Sequence, residues 1–454
     1  MGEWRQVRIG DFLHRAKSPV SLRDDEEYRL VTVRMHHKGV TLREKKKGKL
    51  IGSNMYRVNA GQFILSGIDA RHGAFGVIPE ELDGAIVTND FWYFNVDDTV
   101  VSRDFFLWFT STPLFLDACI KSSEGTTNRR RLQAERFFNF SFNFPGVSEQ
   151  HRLAERFIAF DKTHSALKDE FEIQTTHFKQ LRQAVLQEAV EGKLTVDWRK
   201  QHPLVKGDPQ HDAAALLTQI KAEKERLVKA GKIRKEKPLS TITDSDKPFE
   251  LPSGWVWCLG EEIGEYIDPQ PSHRTPPESQ NGIPYVSMKD VNSVGEINVR
   301  SARKVSSAIL DEHLERYKIS NGDFFIGKIG TIGNPVWLSL PQNYTLSANT
   351  VLIKPSQDCM CPRYMFSVFK SDYCLGHMSE VSSEMSYPVF GIKKMRLMPF
   401  PLPPLAEQQA IVARVDSLMA TIDALEAQVT ERKEQAQLLM QAVLREAFDG
   451  GETV

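Results

Sequence analysis

A duplicated segment constrains the fold of this chain more than any other feature. Residues 142–192 align with residues 400–450 without a gap, and the identities are far more numerous than chance would give. The aligned identities include Pro145 with Pro403, Glu149-Gln150 with Glu407-Gln408, Ala166-Leu167 with Ala424-Leu425, Gln183-Ala184-Val185-Leu186 with Gln441-Ala442-Val443-Leu444, and Glu188-Ala189 with Glu446-Ala447. The chain therefore contains one element twice, and each copy follows a different stretch of sequence.

Apolar residues in both copies recur at alternating intervals of four and three. A stripe with an average period of 3.5 residues is typical of a coiled coil, whereas a globular helix has a broader apolar face. The predicted seam residues are Leu153, Phe157, Phe160, Leu167, Phe171, Phe178, Leu181 and Val185 in the first copy, and Ile411, Val415, Leu418, Ile422, Leu425, Val429, Leu439 and Val443 in the second. His164, Gln174 and Arg432 interrupt the seam, which leaves both a parallel and an antiparallel pairing open. At 1.5 Å per residue, a helix of about 42 residues forms a rod roughly 60 Å long.

The segments before the two helices repeat more faintly. Residues 56–65 resemble residues 317–326, and both continue through glycine-containing turns to a short strand-like piece. Apolar residues alternate between Gly, Pro and Asn turns, which predicts mainly strands with a few helices. The predicted organisation is a globular domain over 1–144, a helix over 145–192, a linker over 193–250 with a basic helix near 212–235, a second globular domain over 251–402, and a second helix over 403–450.

Composition bounds the class of protein. The chain has 454 residues with 58 basic and 59 acidic side chains. A net charge near zero does not exclude a nucleic-acid partner, because phosphate contacts need only local basic surface. The longest apolar stretch, residues 105–116, contains Pro113 and is shorter than the about 20 residues that cross a bilayer. Five cysteines, an odd number, fit a reducing cytosol better than a disulfide framework. We expect a soluble, cytoplasmic protein with no membrane partner.

Motifs for catalysis or metal binding are incomplete. Residues 322–329 nearly match a phosphate-binding P-loop, but Ile329 replaces the hydroxyl residue that binds magnesium, and residues 323–326 have the pattern of a strand. Lys328, on the turn that follows, is a candidate contact to a DNA phosphate. Cys359-Met360-Cys361 lacks the further cysteines or spaced histidines of a zinc site. The sequence predicts no catalytic residue, no metal site and no cofactor bound by this chain.

Dense basic runs are the most informative charge pattern. Lysine suits phosphate contacts and arginine suits bidentate contacts to guanine, so both are candidates for binding DNA. The candidate DNA contacts are Arg43, Lys45, Lys46, Lys47, Lys49, Arg71, Arg129, Arg130 and Arg131 in the first domain, and Lys289, Arg300, Arg303, Lys304, Lys328, Lys393 and Lys394 in the second. Plainer explanations exist, since residues 43–49 alone suit a solvated hairpin and the helix near 212–235 suits a charged linker. His36-His37 beside Lys38 fits a solvated loop better than a DNA contact.

The duplicated order of these motifs resembles a known family. Each globular segment precedes a helix that begins with Pro-x-x-x-Glu-Gln and ends with Gln-Ala-Val-Leu-x-Glu-Ala-x-x-Gly, at residues 183–192 and 441–450. Residues 251–261 (Leu-Pro-Ser-Gly-Trp-Val-Trp-Cys-Leu-Gly-Glu) and residues 285–291 also resemble its recurring pieces. Over nearly the whole chain, the sequence resembles the specificity subunit of Type I restriction-modification systems.

The resemblance implies an α+β chain with two mixed, mainly β target recognition domains separated by two long α-helices packed as an antiparallel coiled coil. Each recognition domain would read one half of a split, asymmetric double-stranded DNA site, and the helices would set the spacer. The helices would also dock methyltransferase (M) subunits, expected to be two, which use S-adenosylmethionine to methylate adenine N6. A restriction (R) subunit that uses ATP and Mg²⁺ would add translocation and cleavage. The first domain departs from the family pattern at residues 69–73, where the second has Gly-Thr-Ile-Gly at 330–333.

Other functions stay open from the sequence. The chain could serve a methyltransferase that has no nuclease partner, or it could be a coiled-coil adaptor whose globular domains bind proteins. A DNA-reading subunit predicts an affinity that falls as salt rises, whereas a protein adaptor predicts no salt-dependent affinity for DNA. A standalone enzyme would need a nucleotide or metal site, which the motifs do not supply.

Overall fold

The computed structural model describes residues 4–125, 130–231, 242–270, 272, 274–356, 358–382 and 389–449. The chain divides into two compact units. Unit 1 comprises Met1–Ile173 with Val429–Val454, and unit 2 comprises Gln174–Gln428. Each unit therefore combines a β-rich part with one end of each of two long helices.

Unit 1 contains two principal sheets. Its strands are β1 Arg5–Arg8, β2 Leu13–Arg15, β3 Pro19–Val20, β4 Glu27–Val33, β5 Val40–Lys47, β6 Met55–Arg57, β7 Phe63–Ser66, β8 Phe75–Val77, β9 Ile86–Thr88, β10 Phe91–Val96, β11 Ser123–Glu124, β12 Arg131–Leu132 and β13 Ser141–Phe144. A four-stranded antiparallel sheet has the order β2-β10-β7-β8, and a five-stranded mixed sheet has the order β3-β6-β9-β4-β5 with β4 parallel to β9. In addition, β1 pairs with β13 and β11 with β12.

Phenylalanine rings fill the core between the four-stranded sheet and the helices of unit 1. The helices are α1 Ile9–Phe12, α2 Arg103–Thr110, α3 Pro113–Lys121, α4 Ala134–Asn139 and the first part of α5 Val147–Val190. Phe63 is fully buried on β7 and meets Phe106 of α2 edge to face, with ring centroids 5.0 Å apart. Pro113 starts α3 because proline fits the first turn of a helix but not its interior. The apolar stretch 105–116 is therefore split between two short helices.

Unit 2 has a similar set of elements. Its strands are β14 Val256–Leu259, β15 Gly264–Ile267, β16 Ile283–Val286, β17 Arg303–Val305, β18 Phe324–Gly327, β19 Gly333–Trp337, β20 Thr345–Leu346, β21 Thr350–Pro355 and β22 Pro399–Leu402. Its helices are the end of α5, α6 Val196–Gln201, α7 Ala213–Lys229, α8 Gly260–Ile263, α9 Ser307–Arg316, α10 Pro362–Lys370, α11 Asp372–Ser382, α12 Ile392–Arg396 and the start of α13 Leu405–Asp449. Residues 323–326 thus lie largely in β18, as their strand pattern predicts.

The strand order of unit 1 recurs in unit 2. The antiparallel sheet β15-β21-β18-β19 follows the order of β2-β10-β7-β8, and the mixed sheet β17-β16-β20 contains a parallel pair, β16 and β20, that matches β4 and β9. Two backbone hydrogen bonds also correspond. Gly67 N donates to Asp90 O at 2.8 Å in unit 1, and Lys328 N donates to Asn349 O at 2.9 Å in unit 2. The faint sequence repeat therefore reflects a duplicated fold.

The two long helices run in opposite directions. In unit 1, the ring of Phe448 near the end of α13 stacks on Phe157 near the start of α5, with centroids 5.6 Å apart. In unit 2, Arg182 near the end of α5 forms ion pairs at 2.6 Å with Asp423 and Glu426 of α13. These contacts settle the orientation that the seam left open and confirm the predicted α+β class with two β-rich units and two long helices.

A glutamine explains part of the repeated Pro-x-x-x-Glu-Gln motif. Gln150 Oε1 accepts a hydrogen bond from Ser102 N at 2.8 Å, and its Nε2 donates to Pro145 O at 2.8 Å. Gln408 does the same in unit 2, accepting from Cys361 N at 2.9 Å and donating to Pro403 O at 3.0 Å. Both glutamines are fully buried, so each satisfies backbone groups that water cannot reach.

Burial follows the predicted seam at twelve positions and departs from it at four. Residues on the predicted seam that are buried or half-buried are Leu153, Phe157, Phe160, Phe171, Phe178, Val185, Ile411, Val415, Leu418, Ile422, Val429 and Val443. The four exceptions have exposed fractions of 41% at Leu167, 47% at Leu181, 43% at Leu425 and 54% at Leu439. The next residues Arg182, Glu426 and Met440 are half-buried instead. A straight α-helix has 3.6 residues per turn, so a strict 3.5-residue stripe drifts off the contact line unless the helices supercoil.

In the part of the chain that the structure describes, no helix has both the length and the apolar character needed to cross a bilayer.

Candidate nucleic-acid interface

Several loops lie together at one end of the strands of the four-stranded sheet in unit 1. β7 terminates at this end, and β8 and β10 begin there because both are antiparallel to β7. His36 N donates to His72 O at 2.8 Å, which joins the β4–β5 hairpin to the turn after β7. Leu132 N donates to Gly67 O at 2.8 Å, which joins the β11–β12 hairpin to the same turn. We call residues 34–39, 67–74, 89–90 and 130–132 the unit 1 loop cluster.

Predicted arginine contacts lie in this cluster. Arg71 is half-buried, whereas Arg130 and Arg131 are exposed. Arg131 Nη2 lies 2.9 Å from Asp90 Oδ1, and both side chains are largely exposed. Such a surface ion pair contributes little to stability, so Arg131 is available to a phosphate. Arg129 lies outside the described residues.

The basic run at residues 43–49 lies on a different surface of unit 1. β5 forms an edge of the five-stranded sheet among the described residues, and Arg43, Lys45, Lys47 and Lys49 are exposed while Lys46 is half-buried. Arg43 is the extra residue of a β-bulge, between the pairs Leu30–Glu44 and Val31–Leu42. A bulge changes the direction of a side chain, and lysines on an edge strand also prevent unwanted pairing between sheets. The run therefore forms a basic edge separate from the loop cluster.

The candidates of unit 2 lie on the corresponding hairpin. β16 and β17 occupy the places of β4 and β5, and β17 is likewise an edge strand in the described part of the chain. Lys289 follows β16 and is exposed, Arg300 is exposed in the connecting loop, and Lys304 is exposed on β17. Arg303 is half-buried, and its buried Nε has no hydrogen-bond partner among the described residues. The structure thus places basic residues on equivalent hairpins of two units that differ in sequence.

Lys328 is not on the surface. Its Nζ lies 2.7 Å from Asp268 Oδ2, and the exposed fractions of the two side chains are 5% and 18%. A DNA phosphate cannot approach an ammonium group that is enclosed and already paired. The predicted phosphate contact at Lys328 is therefore wrong, because a carboxylate 60 positions earlier in the chain draws the side chain inward.

The remaining basic candidates lie on helices of unit 2. Lys393 and Lys394 are exposed on α12. The basic linker helix corresponds to α7, where Lys221 pairs with Glu262 of α8 at 2.8 Å and Lys224 donates to Glu261 O at 2.6 Å. These two lysines hold α7 against α8, which favours a structural part for this helix over a DNA contact.

Some residues of the unit 1 loop cluster were not among the predicted contacts. His36 and Lys38 are exposed at the tip of the β4–β5 hairpin, and His72 is exposed in the turn that the tip contacts. Gly39 and Gly73 have positive φ angles of 73° and 75°. Glycine adopts this conformation readily, so the two glycines could have predicted turns at both places from the sequence. The contact between the two turns depends on tertiary structure, so no local sequence pattern predicts it.

Histidine, cysteine and carboxylate side chains are the groups that could bind a metal ion, and an exposed thiol could act as a nucleophile. Among the described residues, no group of three or more His, Cys, Asp or Glu side chains is placed to hold a metal ion. Cys359 is buried and Cys361 is half-buried, and burial raises the pKa of the Cys359 thiol. The Cys-x-Cys pair thus lies against the core and does not form an exposed nucleophile.

Comparison with known protein families supports the sequence resemblance. Residues 1–174 and 259–434 match the model of the Type I restriction modification DNA specificity domain. The chain belongs to this family. The two matched stretches cover most of the β-rich parts of both units, which agrees with the repeated strand order.

Several characterised specificity subunits are similar in sequence to this specificity-domain protein. The EcoAI specificity subunit of Escherichia coli is 31% identical over 278 residues, covering 59% of this chain and 44% of that subunit. The EcoEI subunit of Escherichia coli is 27% identical over 275 residues, with the same two coverages. The EcoKI subunit of Escherichia coli strain K12 is 24% identical over 360 residues, covering 78% of this chain and 66% of that subunit. The chain spans less than half the length of the first two relatives.

Solved structures share the fold. A chain from a structure on complex assembly and conformational transition of the type I R-M system has a TM-score of 0.65 and 18% identity, covering 98% of this chain and 97% of that chain. The HsdS subunit from Thermoanaerobacter tengcongensis has a TM-score of 0.52 and 17% identity, covering 99% of this chain and 97% of that chain. At these identities the likeness shows a common fold.

Proposed function

We propose that this chain is the non-catalytic DNA-recognition subunit of a cytoplasmic Type I restriction-modification complex. Each β-rich part would read one half of a bipartite DNA site. The observation that carries the proposal is the placement of basic residues on equivalent hairpins, β4–β5 in unit 1 and β16–β17 in unit 2. Duplicated folds with unlike sequences at equivalent places suit two unlike half-sites.

The exposed leucines of the long helices support docking of methyltransferase subunits. Leu167 and Leu439 are exposed in unit 1, and Leu181 and Leu425 are exposed in unit 2. Uncovered apolar side chains on a helix pair mark a surface for protein association. One methyltransferase for each unit would give two in the complex. They would supply S-adenosylmethionine and adenine N6 methylation, and the restriction subunits would supply ATP- and Mg²⁺-dependent translocation and cleavage.

Binding measurements on charge variants test the proposal. The full chain with its methyltransferase partner should bind duplex DNA with an affinity that falls as salt rises. Lys45→Ala and Lys304→Ala should each weaken binding to all DNA sequences by a similar amount. Each should also reduce the slope of log affinity against log salt by about one, because each removes one phosphate contact. Glu250→Ala, an exposed acidic residue before unit 2's first strand, is the control and should leave the slope unchanged. An affinity independent of salt would favour the protein-adaptor alternative.

The helices are proposed to set the spacer between the half-sites. Counted along an antiparallel pair from Phe157–Phe448, residues 167–171 of α5 correspond to residues 434–438 of α13. Four residues inserted in both stretches would lengthen the helix pair by about 6 Å, roughly two base pairs. The recognised spacer should change while the specified bases stay the same. A changed half-site with an unchanged spacer would contradict the proposal that the helices set the spacer.

A methyltransferase complex without a nuclease is the second candidate. The same DNA-reading surfaces and docking helices would serve it, and only the partner polypeptides differ. Purification of the native complex followed by an ATP hydrolysis assay on DNA carrying the unmethylated site separates the two. ATP hydrolysis identifies a translocating restriction subunit, and its absence from an intact complex identifies a methyltransferase alone.

A further inference from the structure

The tip of the β4–β5 hairpin is fixed against the turn between β7 and β8. His36 N donates to His72 O at 2.8 Å, and His37 N donates to Gly73 O at 3.0 Å. The His37 ring meets buried Phe75 edge to face, with centroids 4.9 Å apart. Partial desolvation lowers the pKa of His37, and the neighbouring His36 lowers it further.

The backbone at this tip is strained. His36 and His37 have φ angles of 60° and 56°, in the left-handed region that residues other than glycine rarely adopt. Strained backbone persists where its surroundings fix it, and it clusters at binding sites. The facing turn is equally restricted, since a Cβ on Gly73 would lie 3.1 Å from the His37 ring. Two backbone hydrogen bonds and a ring contact therefore join the tip to the turn.

An arginine in this turn is held by its neighbour. Arg71 Nε donates a hydrogen bond to His72 Nε2 at 3.0 Å, while the backbone carbonyl of His72 binds the hairpin tip. In the part of the chain that the structure describes, the terminal amino groups of Arg71 have no hydrogen-bond partner. The guanidinium plane is thus oriented through Nε, and Nη1 and Nη2 stay available as a two-pronged donor.

We propose that Arg71 is the base-reading residue of unit 1 and donates two hydrogen bonds to one guanine in the major groove, with His72 as its positioning residue. The inference rests on the proposed function. The arginine fork matches the O6 and N7 acceptors of guanine, and this pairing discriminates against other bases. His36 and Lys38, exposed beside it, supply donors for the adjacent phosphates.

The guanine contact belongs to one half-site. In unit 2 the corresponding turn between β18 and β19 has the sequence Lys-Ile-Gly-Thr-Ile at residues 328–332, with no arginine. Lys328, the charged residue of that turn, is buried against Asp268. The contact is therefore a property of unit 1, at the place where its sequence departs from the family pattern.

Mapping of N6-methyladenine in host DNA tests the inference when variant genes replace the native one. Arg71→Lys keeps the positive charge but loses the two-pronged donor. The preference for guanine over the other bases should therefore fall by roughly 5- to 150-fold at one position of one half-site. His72→Leu should relax the same position, whereas His72→Gln keeps an acceptor for Arg71 Nε and should stay close to wild type. Lys45→Ala is the matched control and should weaken all sites without changing any specified base.

The outcomes separate this inference from the proposed function. If the wild-type gene directs methylation to no split site, the proposed function fails. If a split site exists but neither half contains guanine, or if Arg71→Lys leaves every base equally specified, only the inference about Arg71 is overturned. Should Arg71→Lys fail to fold, shown by a lost thermal transition, the contrast between His72→Leu and His72→Gln decides, and equal specificity of these two refutes it.

Discussion

Replacing Lys328 by methionine distinguishes an internal ion pair from a DNA contact. Methionine retains most of the apolar volume of the side chain but removes the ammonium group that lies 2.7 Å from Asp268. The carboxylate would lose its ion pair while only 18% of its side chain is exposed, and it would keep a hydrogen bond from Gln270 N. Breaking one partner of a buried pair costs about 3–5 kcal/mol, and the partial exposure of Asp268 places this case near about 3 kcal/mol.

Hydrogen exchange measures this cost within unit 2. A loss of about 3 kcal/mol in opening free energy should speed exchange of the peptides covering β15 and β18 by roughly 100-fold. The double variant Lys328→Met with Asp268→Asn removes both charges and should recover most of the protection. The salt dependence of DNA binding should not change. Unchanged exchange together with a salt slope smaller by about one would refute the internal pair and restore Lys328 as a phosphate contact.

Three further predictions concern packing, pH and docking. Phe448→Ala should lower the free energy of unfolding of unit 1 by about 3–5 kcal/mol, measured by hydrogen exchange of α2. Leu439 on the same helix is exposed, so Leu439→Ala should lower it by less than about 0.5 kcal/mol. Equal effects of the two variants would contradict the Phe448 contacts. Burial lowers the pKa of His313 from its ordinary value of 6.5, so the unfolded chain binds more protons than the folded chain just below pH 6.5. The stability of unit 2 should therefore fall as the pH drops through this window. His313→Gln should flatten this pH dependence of thermal unfolding. Leu425→Lys and Leu181→Lys should weaken copurification of the methyltransferase without changing the thermal unfolding of the chain, and undiminished copurification would exclude this face.

The long helices and their pairing partners were predictable because a heptad stripe is a local pattern. The stripe did not determine their orientation, which depends on where Phe448 and Arg182 find their contacts, and only the family resemblance implied an antiparallel pair. The exposure of Leu167, Leu181, Leu425 and Leu439 could not be predicted from the local pattern either. A 3.5-residue stripe can be counted in the sequence, but its drift across a helix depends on how tightly the two helices supercoil.

The candidate interface divides in a similar way. Exposed runs such as residues 43–49 could be identified from charge density, because many like charges cannot be buried together. Lys328 could not be judged from its neighbours, since its partner Asp268 is distant in sequence and meets it only when β15 and β18 join one sheet. The hairpin-tip contact with the turn after β7 was missed because it joins residues brought together by two different sheets.

Mapping of N6-methyladenine in host DNA, with this gene intact and with it deleted, tests the central claim most directly. The account predicts one split motif with two unlike halves that is methylated in the intact host and unmethylated after deletion. Restoring the gene should restore methylation at the same motif. If the methyltransferase partner is expressed and no motif depends on this gene, the chain does not direct DNA methylation and the account is contradicted.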